Sequence, residues 1–505
     1  MSVKSILARP YAAVVQRQIM KWAKDTTRMQ EYLFHKLLHD GRKTIFGKEH
    51  KFESIITYED FTRQVPISDY EDILPYIEQV KNGGESILWK GRPLYFAKSS
   101  GTTSGVKYIP ITRDSIPNHI DSARNALLMY IAETGNIRFV NGKMIFLSGN
   151  PELDKTGDIL TGRLSGIVNH HVPRYLRGSQ LPSFQTNCIE DWEEKLEKIV
   201  EETWNQDMTL VSGIPPWIQM YFEKLLEKSG KKTILEMFPN LSLLVYGGVN
   251  FEPYKAKLFK SIGKNIDSIE TYPASEGFIA FQSSQKEEGL LLNVDSGIFF
   301  EFVPADQIFS ENPDRMQLKE VDTGRNYAIV ISSNAGLWAY SIGDTIKFVS
   351  KNPYRIIVTG RTKHFISAFG EHVISEEVES ALMMAAGEDS LEVIEFTVAP
   401  QVNPPDHGLP YHEWFVEFTN PPVPLDSIRQ RVDQYLRKKN IYYDDLISGN
   451  ILQPLKITLI QHDGFRNYMK SIGKLGGQNK IPRLSNDRQL ADALQQWVSK
   501  GAPAN

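Results

Sequence analysis

Residues 96–112 read FAKSSGTTSGVKYIPIT, a run of hydroxyls and glycines closed by a lysine. Small residues at Gly101 and Gly105 let backbone N–H groups approach phosphate oxygens closely. Ser99, Ser100, Thr102 and Thr103 add donors, and Lys107 adds charge. The chemistry such a loop suits is holding a polyphosphate. The spacing Gly101-x-x-x-Gly105-Val-Lys107, with Tyr108 next, differs from the GxxxxGK[ST] loop.

Other constellations fail on spacing. Ser104-Gly-Val-Lys107 is S-x-x-K and Lys155-Thr156-Gly157 is K-T-G, two parts of a penicillin-binding serine hydrolase. The S-D-N part is missing, and YIPIT is extended before its proline where that enzyme class opens a helix. His170 and His171 are adjacent, and His364, His372, His407 and His412 lack zincin spacing. Cys188 is the only cysteine, which rules out an intrachain disulfide and makes a reducing cytoplasm the expected location. Basic and acidic residues nearly balance, 57 against 61, with no basic stripe, so nucleic acid is not an expected partner. No apolar run reaches the ~18 residues a membrane span needs. The first forty residues lack a signal peptide's apolar core and instead show helical periodicity through Val14, Val15, Ile19, Trp22, Met29, Leu33 and Leu37.

The elements that must position the loop follow from alternation. Runs at 94–97, 144–147, 209–212, 241–246 and 327–332 read as strands. Between them PPWIQMYFEKLLEKSG and EPYKAKLFKSIG read as helices, each with proline near its start and glycine at its end. Strands alternating with helices predict an α/β fold with largely parallel sheets. The pattern tightens after the strand pair DTIKFV and YRIIVTG. Helices over 375–386 and 425–438, with strands over 393–398, 414–418 and 455–460, predict a second, α+β domain. The expected boundary puts a large domain at 1–360 and a small one at 361–505.

With that order in place, the loop resembles the phosphate-binding loop of the adenylate-forming superfamily, which includes acyl-CoA synthetases, luciferases and the adenylation domains of peptide synthetases. Four further segments match in sequence. YGG (246–248) is similar to the turn beside the adenine, and TYPASEG (271–277) to the aromatic-x-x-[ST]-Glu motif. YSIGD (340–344) resembles Tyr-x-x-Gly-Asp, and GRTKHFISAFGEHVISEEVE (360–379) resembles the hinge that opens the C-terminal domain. The SSGTT-x-G start, AGLWAYSIGD and GGQNKIPR are similar to the auxin-responsive Gretchen Hagen family of acyl acid amido synthetases, over nearly the whole chain. Plant members generally read Tyr-Arg-Tyr-Arg before Val-Gly-Asp, where this chain has Trp338-Ala339-Tyr340-Ser341-Ile342.

The resemblance implies a ligase that turns a small carboxylic acid into its acyl-AMP with ATP and Mg²⁺, then passes the acyl group to an amine, expected to be an amino acid. A thiol ligase working through the same adenylate is the alternative, and a non-catalytic nucleotide-binding homologue a further one. It implies ATP binding by Ser99, Ser100, Gly101, Thr102, Thr103, Lys107, Gly247, Gly248, Tyr272, Ala274, Ser275, Asp344 and Arg361. Tyr272 would stack on adenine, Asp344 would accept from the ribose hydroxyls, and Glu276 would serve catalysis as the Mg²⁺ ligand. Lys480 is the expected adenylation lysine, with Lys474 and Lys470 as alternatives. Ser212, Gly213, Ile214 and Phe299 are the expected acyl-acid pocket. The small domain is expected to act as a lid that turns about Gly360–Arg361 between the two half-reactions.

Overall fold

The protein, as a computed structural model, is described for residues 3–499 except 101–105, 173, 190, 249–250, 363–364, 367–372, 406–407, 423, 450, 476–479 and 486. It divides into two compact units, Met1–Ile342 with Ile346–Ile357, and Gly343–Thr345 with Val358–Asn505.

In the first unit, β1 (Tyr95–Ser100) and β2 (Val106–Ile111) pair antiparallel, Ser99 opposite Lys107. After β3 (Lys143–Phe146), the short β4 (Asp154–Thr156) and β5 (Ile159–Arg163) complete a four-stranded sheet in the order β2-β1-β5-β4. A parallel run in the order β6-β3-β7-β8-β9 follows, with β6 (Gln180–Leu181), β7 (Met208–Gly213), β8 (Leu243–Gly247) and β9 (Asp267–Ala274). The sheet then turns antiparallel through β10 (Gly277–Phe281) and β11 (Leu290–Leu292). It ends on strands formed by β12 (Ile298–Pro304), β13 (Met316–Gln317), β14 (Asn326–Ser333), β15 (Tyr340–Lys351) and β16 (Tyr354–Arg361). The full order is β6-β3-β7-β8-β9-β10-β11-β16-β15-β14-β12-β13. The sheet is therefore mixed, with a parallel run of five strands at one end.

Helix ends follow their sequence signals. Pro215–Ser229 starts on prolines and stops at Gly230 (φ 67°), and Glu252–Ile262 stops at Gly263 (φ 99°); the left-handed region suits glycine because it has no Cβ. The helical start is two helices, Val3–Lys24 and Thr26–Gly41, broken at Asp25 (ψ 44°). Val15, Ile19, Leu33 and Leu37 are buried on them, whereas Val14 faces solvent.

Trp338 is 1% exposed in the main core, and its Nε1 donates to the Leu88 carbonyl at 3.0 Å. Emptying such a site costs about 3–5 kcal/mol. Its burial anchors the chain just ahead of β15, which carries Asp344.

The second unit opens with β17 (Phe365–Ile366) and β18 (Val373–Ile374), paired antiparallel, and the helix Ser375–Glu388. β19 (Val393–Gln401), β20 (Tyr411–Phe418) and β21 (Lys456–Leu459) form a sheet in that order, with the helix Leu425–Lys439 between the last two in sequence. Its own core includes Val378, Leu382, Phe396, Trp414 and Leu436.

Candidate active site

The β1–β2 hairpin places Ser99, Ser100 and Lys107 at its connected end, on either side of residues 101–105. That stretch, with Gly101, Thr102 and Thr103, lies outside the described residues. The Lys107 ammonium is 5.5 Å from the centre of the Tyr70 ring, whose hydroxyl accepts the Tyr108 N–H at 2.9 Å. A cation over a ring face is attracted by its quadrupole, which helps hold the strand that leaves the loop.

A second group gathers at the carboxyl ends of the parallel strands, where open α/β sheets bind ligands. The register aligns Ser212 with Val245, Gly213 with Tyr246, and Gly247 with Thr271. Ser212 and Gly213 therefore end β7 beside Gly247 at the end of β8, and Ile214 follows. Gly247 is required sterically, since a Cβ there would lie 2.3 Å from the Thr271 carbonyl oxygen. Gly248 has φ 79°. Ala274 pairs with Gly277, leaving Ser275 and Glu276 in the turn between β9 and β10, both half-buried. Tyr272 is 7% exposed and belongs to the main apolar core.

Asn118, absent from the sequence reading, straps this turn. Its Oδ1 accepts from the Phe278 N–H at 2.6 Å and its Nδ2 donates to Ser296 Oγ at 2.9 Å. Nothing in the sequence marks it out, because polar residues surround it in IPNHIDSARN.

Phe299, the fourth residue expected in the acyl-acid pocket, lies on a different strand from the other three. It is 2% exposed on β12, packed 5.0 Å from Phe34 and 6.1 Å from Tyr58 between ring centres. Eight places in the sheet order separate β12 from β7.

The second unit holds the third group. Gly343 (φ 80°) turns the backbone before Asp344, and Thr362 N–H donates to the Gly343 carbonyl at 2.8 Å. Arg361 Nε meets Asp344 Oδ1 at 2.9 Å. Lys480 acts electrostatically with Asp344, Arg361 and Arg483. Burial lowers its pKa to about 8, with Arg361 and Arg483 adding to the drop and Asp344 opposing it. Lys480 is itself exposed, so water relieves much of that burial. The chain just after Lys480 is tied to β19: Thr397 Oγ1 donates to the Pro482 carbonyl at 2.6 Å, and Val398 N–H to that of Arg483 at 2.9 Å. Arg483 Nε also pairs with Glu379 at 2.8 Å. Lys470, near the end of the helix Gly464–Ser471, and Lys474 just beyond it are both exposed.

Three family models match the chain: the GH3 family N-terminal domain over residues 15–188, the central domain over 291–361 and the C-terminal domain over 376–489. The chain is 22% identical to indole-3-acetic acid-amido synthetase GH3.3 of Arabidopsis thaliana, across 95% of this chain and 93% of that protein. It is 23% identical to jasmonoyl–L-amino acid synthetase JAR4 of Nicotiana attenuata, across 74% of this chain and 76% of that one. Its fold matches the solved structure of GH3.15 acyl acid amido synthetase with a TM-score of 0.79 at 14% identity, covering 95% of both chains. With the matched segments running in order and spanning most of its length, the chain belongs to the GH3 family.

Proposed function

We propose that the chain is an ATP-dependent acyl acid amido synthetase that joins a small carboxylic acid to an amino acid. The family supports this reading, since relatives across most of the chain are named as amido synthetases. One geometric observation carries it to these residues: Lys480, Asp344 and Arg361 form a single electrostatic group.

In the first half-reaction a carboxylate oxygen attacks the α-phosphorus of ATP and pyrophosphate leaves. Negative charge moves toward the leaving group, so a positioned cation at Lys480 stabilises the transition state. Asp344 accepts from the ribose hydroxyls, and its Arg361 partner orients it. Ser99, Ser100, Lys107 and the 101–105 stretch hold the phosphates. Gly247, Gly248, Tyr272, Ala274 and Ser275 frame the adenine. Ser212, Gly213 and Ile214 line the acyl acid. Mg²⁺ usually takes one or two carboxylates plus substrate phosphates. Glu276 fits that demand as a half-buried carboxylate in a turn just past the carboxyl ends of the parallel strands. When bound, the ion would neutralise phosphate charge. In the second half-reaction the acceptor amine attacks the acyl carbonyl, AMP departs, and the amine loses a proton.

Labelled pyrophosphate exchanged into ATP across a panel of carboxylic acids tests the reading, with AMP as the expected nucleotide product. Stoichiometric ADP with an acyl phosphate would refute it. Transfer to coenzyme A but to no amine would replace the amide step with a thioester step.

A further inference from the structure

Beside the Ser212–Ile214 edge lies a buried polar cluster that the proposed chemistry does not use. Leu147, just past β3, donates its N–H to the Ser212 carbonyl at 2.8 Å. The next residue, Ser148, is 8% exposed, and its Oγ has no hydrogen-bond partner. Lys195, 3% exposed on the helix Trp192–Thr203, donates to the Ser148 carbonyl at 3.0 Å and the Asn187 carbonyl at 2.7 Å. Asn187 is fully buried, and neither its Oδ1 nor its Nδ2 is satisfied. Arg163, half-buried at the end of β5, runs across Gly149, where a Cβ would lie 2.7 Å from Arg163 Cδ and 3.6 Å from Nη1. No side chain but glycine leaves that path open.

The imbalance is chemical. Buried charges are ordinarily paired and buried polar atoms ordinarily bonded. Here two cations meet without a carboxylate of the described chain on either. Lys195 spends two of its three N–H donors on backbone carbonyls. What remains is one lysine N–H, the Arg163 fork, the Ser148 O–H and the Asn187 Nδ2–H, all donors, beside the Asn187 Oδ1, an acceptor. Burial holds the Lys195 pKa down to about 8, and Arg163 adds to the drop. Cys188, hydrogen-bonded to the exposed Glu152, opposes it and is the acidic group that acts on Lys195.

We propose that Arg163, Lys195, Ser148 and Asn187 form a subsite for a carboxylate that is not the one being activated. A planar carboxylate suits the guanidinium fork and takes the remaining donors. It belongs either to a dicarboxylic acyl substrate, as its distal group, or to the amino acid acceptor, as its α-carboxylate. The choice of these two sources rests on the amido synthetase reading. The anion site does not.

The full-length chain is tested with matched probes. Succinate and butyrate are compared in pyrophosphate exchange, and L-alanine and ethylamine as acceptors for preformed acyl-AMP. Arg163→Gln should raise KM about 10- to 100-fold for succinate or for L-alanine, the loss expected for a charged hydrogen-bonded contact. The carboxylate-free member of the same pair should change less than about twofold, and Arg163→Lys should recover part of the loss. Gly149→Ala, which displaces the Arg163 stem without removing it, should act in the same direction. Which pair responds identifies the source. Equal effects on both members, or none, would overturn the proposal. Calorimetric titration of succinate and of L-alanine into resting protein reads the subsite without turnover. Wild type should bind at least one, and Arg163→Gln should bind it at least tenfold more weakly. That result alongside absent pyrophosphate exchange would sink the ligase reading alone. Binding of neither probe, or equal binding by the variant, would sink the subsite and leave ordered water as the partner of Ser148 and Asn187.

Discussion

At the scale of single residues, Lys480 carries the sharpest consequence. Its lowered pKa, about 8, means the side chain is cationic below that pH and loses its charge above it. The kcat/KM of pyrophosphate exchange reports the free enzyme and leaves out the acceptor amine, which titrates as well. It should fall as pH rises through about 8, and Lys480→Arg should flatten the fall because a guanidinium stays charged. Lys480→Ala should slow exchange by about 10²–10³, the usual loss of a donor aimed at developing charge. The same variant given acyl-AMP should still make amide. An unchanged profile in Lys480→Arg, or equal damage to both half-reactions, would assign Lys480 to structure and pass the role to Lys474 or Lys470. The types and order of such residues were legible in the sequence because motif chemistry is local. The Arg163–Lys195 cluster was not, since it joins residues past β3, at the end of β5, at position 187 and on the helix Trp192–Thr203, through a contact 47 residues apart in the chain.

At the scale of elements, the register decides function. Gly247 sits where β8 and β9 approach too closely for a side chain. Gly247→Ala must push the two strands apart, an overpacking that typically costs about 1–3 kcal/mol. Urea denaturation should show that loss, with a raised KM for ATP at temperatures where the variant is folded; unchanged stability would mean the strands separate freely. Strand and helix positions were readable from alternation and from proline and glycine signals, because those act within one element. The place of Phe299 in the sheet was not readable, for the opposite reason. A buried apolar strand looks the same wherever it sits, and only long-range pairing puts β12 eight places from β7. The break at Asp25 was likewise hidden, since the apolar period continues across it.

At the scale of the whole molecule, the α/β class and a smaller α+β unit were legible from the change in pattern near 360. The second unit's claim on Gly343–Thr345 was not, because those residues lie in sequence among strands of the first. Among the described residues no helix is long and apolar enough to cross a membrane. The tie between β19 and residues 482–485 has a wider consequence. A three-stranded sheet has two open rims, and rims recruit foreign strands. Leu484 bridges Val398 on one rim, and Val498 bridges Ile460, just past β21, on the other. The same closing stretch that steadies the approach to Lys480 therefore also guards against self-association. A chain ended at residue 475 should lose adenylation and also scatter light at concentrations where the full chain stays clear. A truncated chain that stayed monomeric would show that the two rims are harmless without their cover.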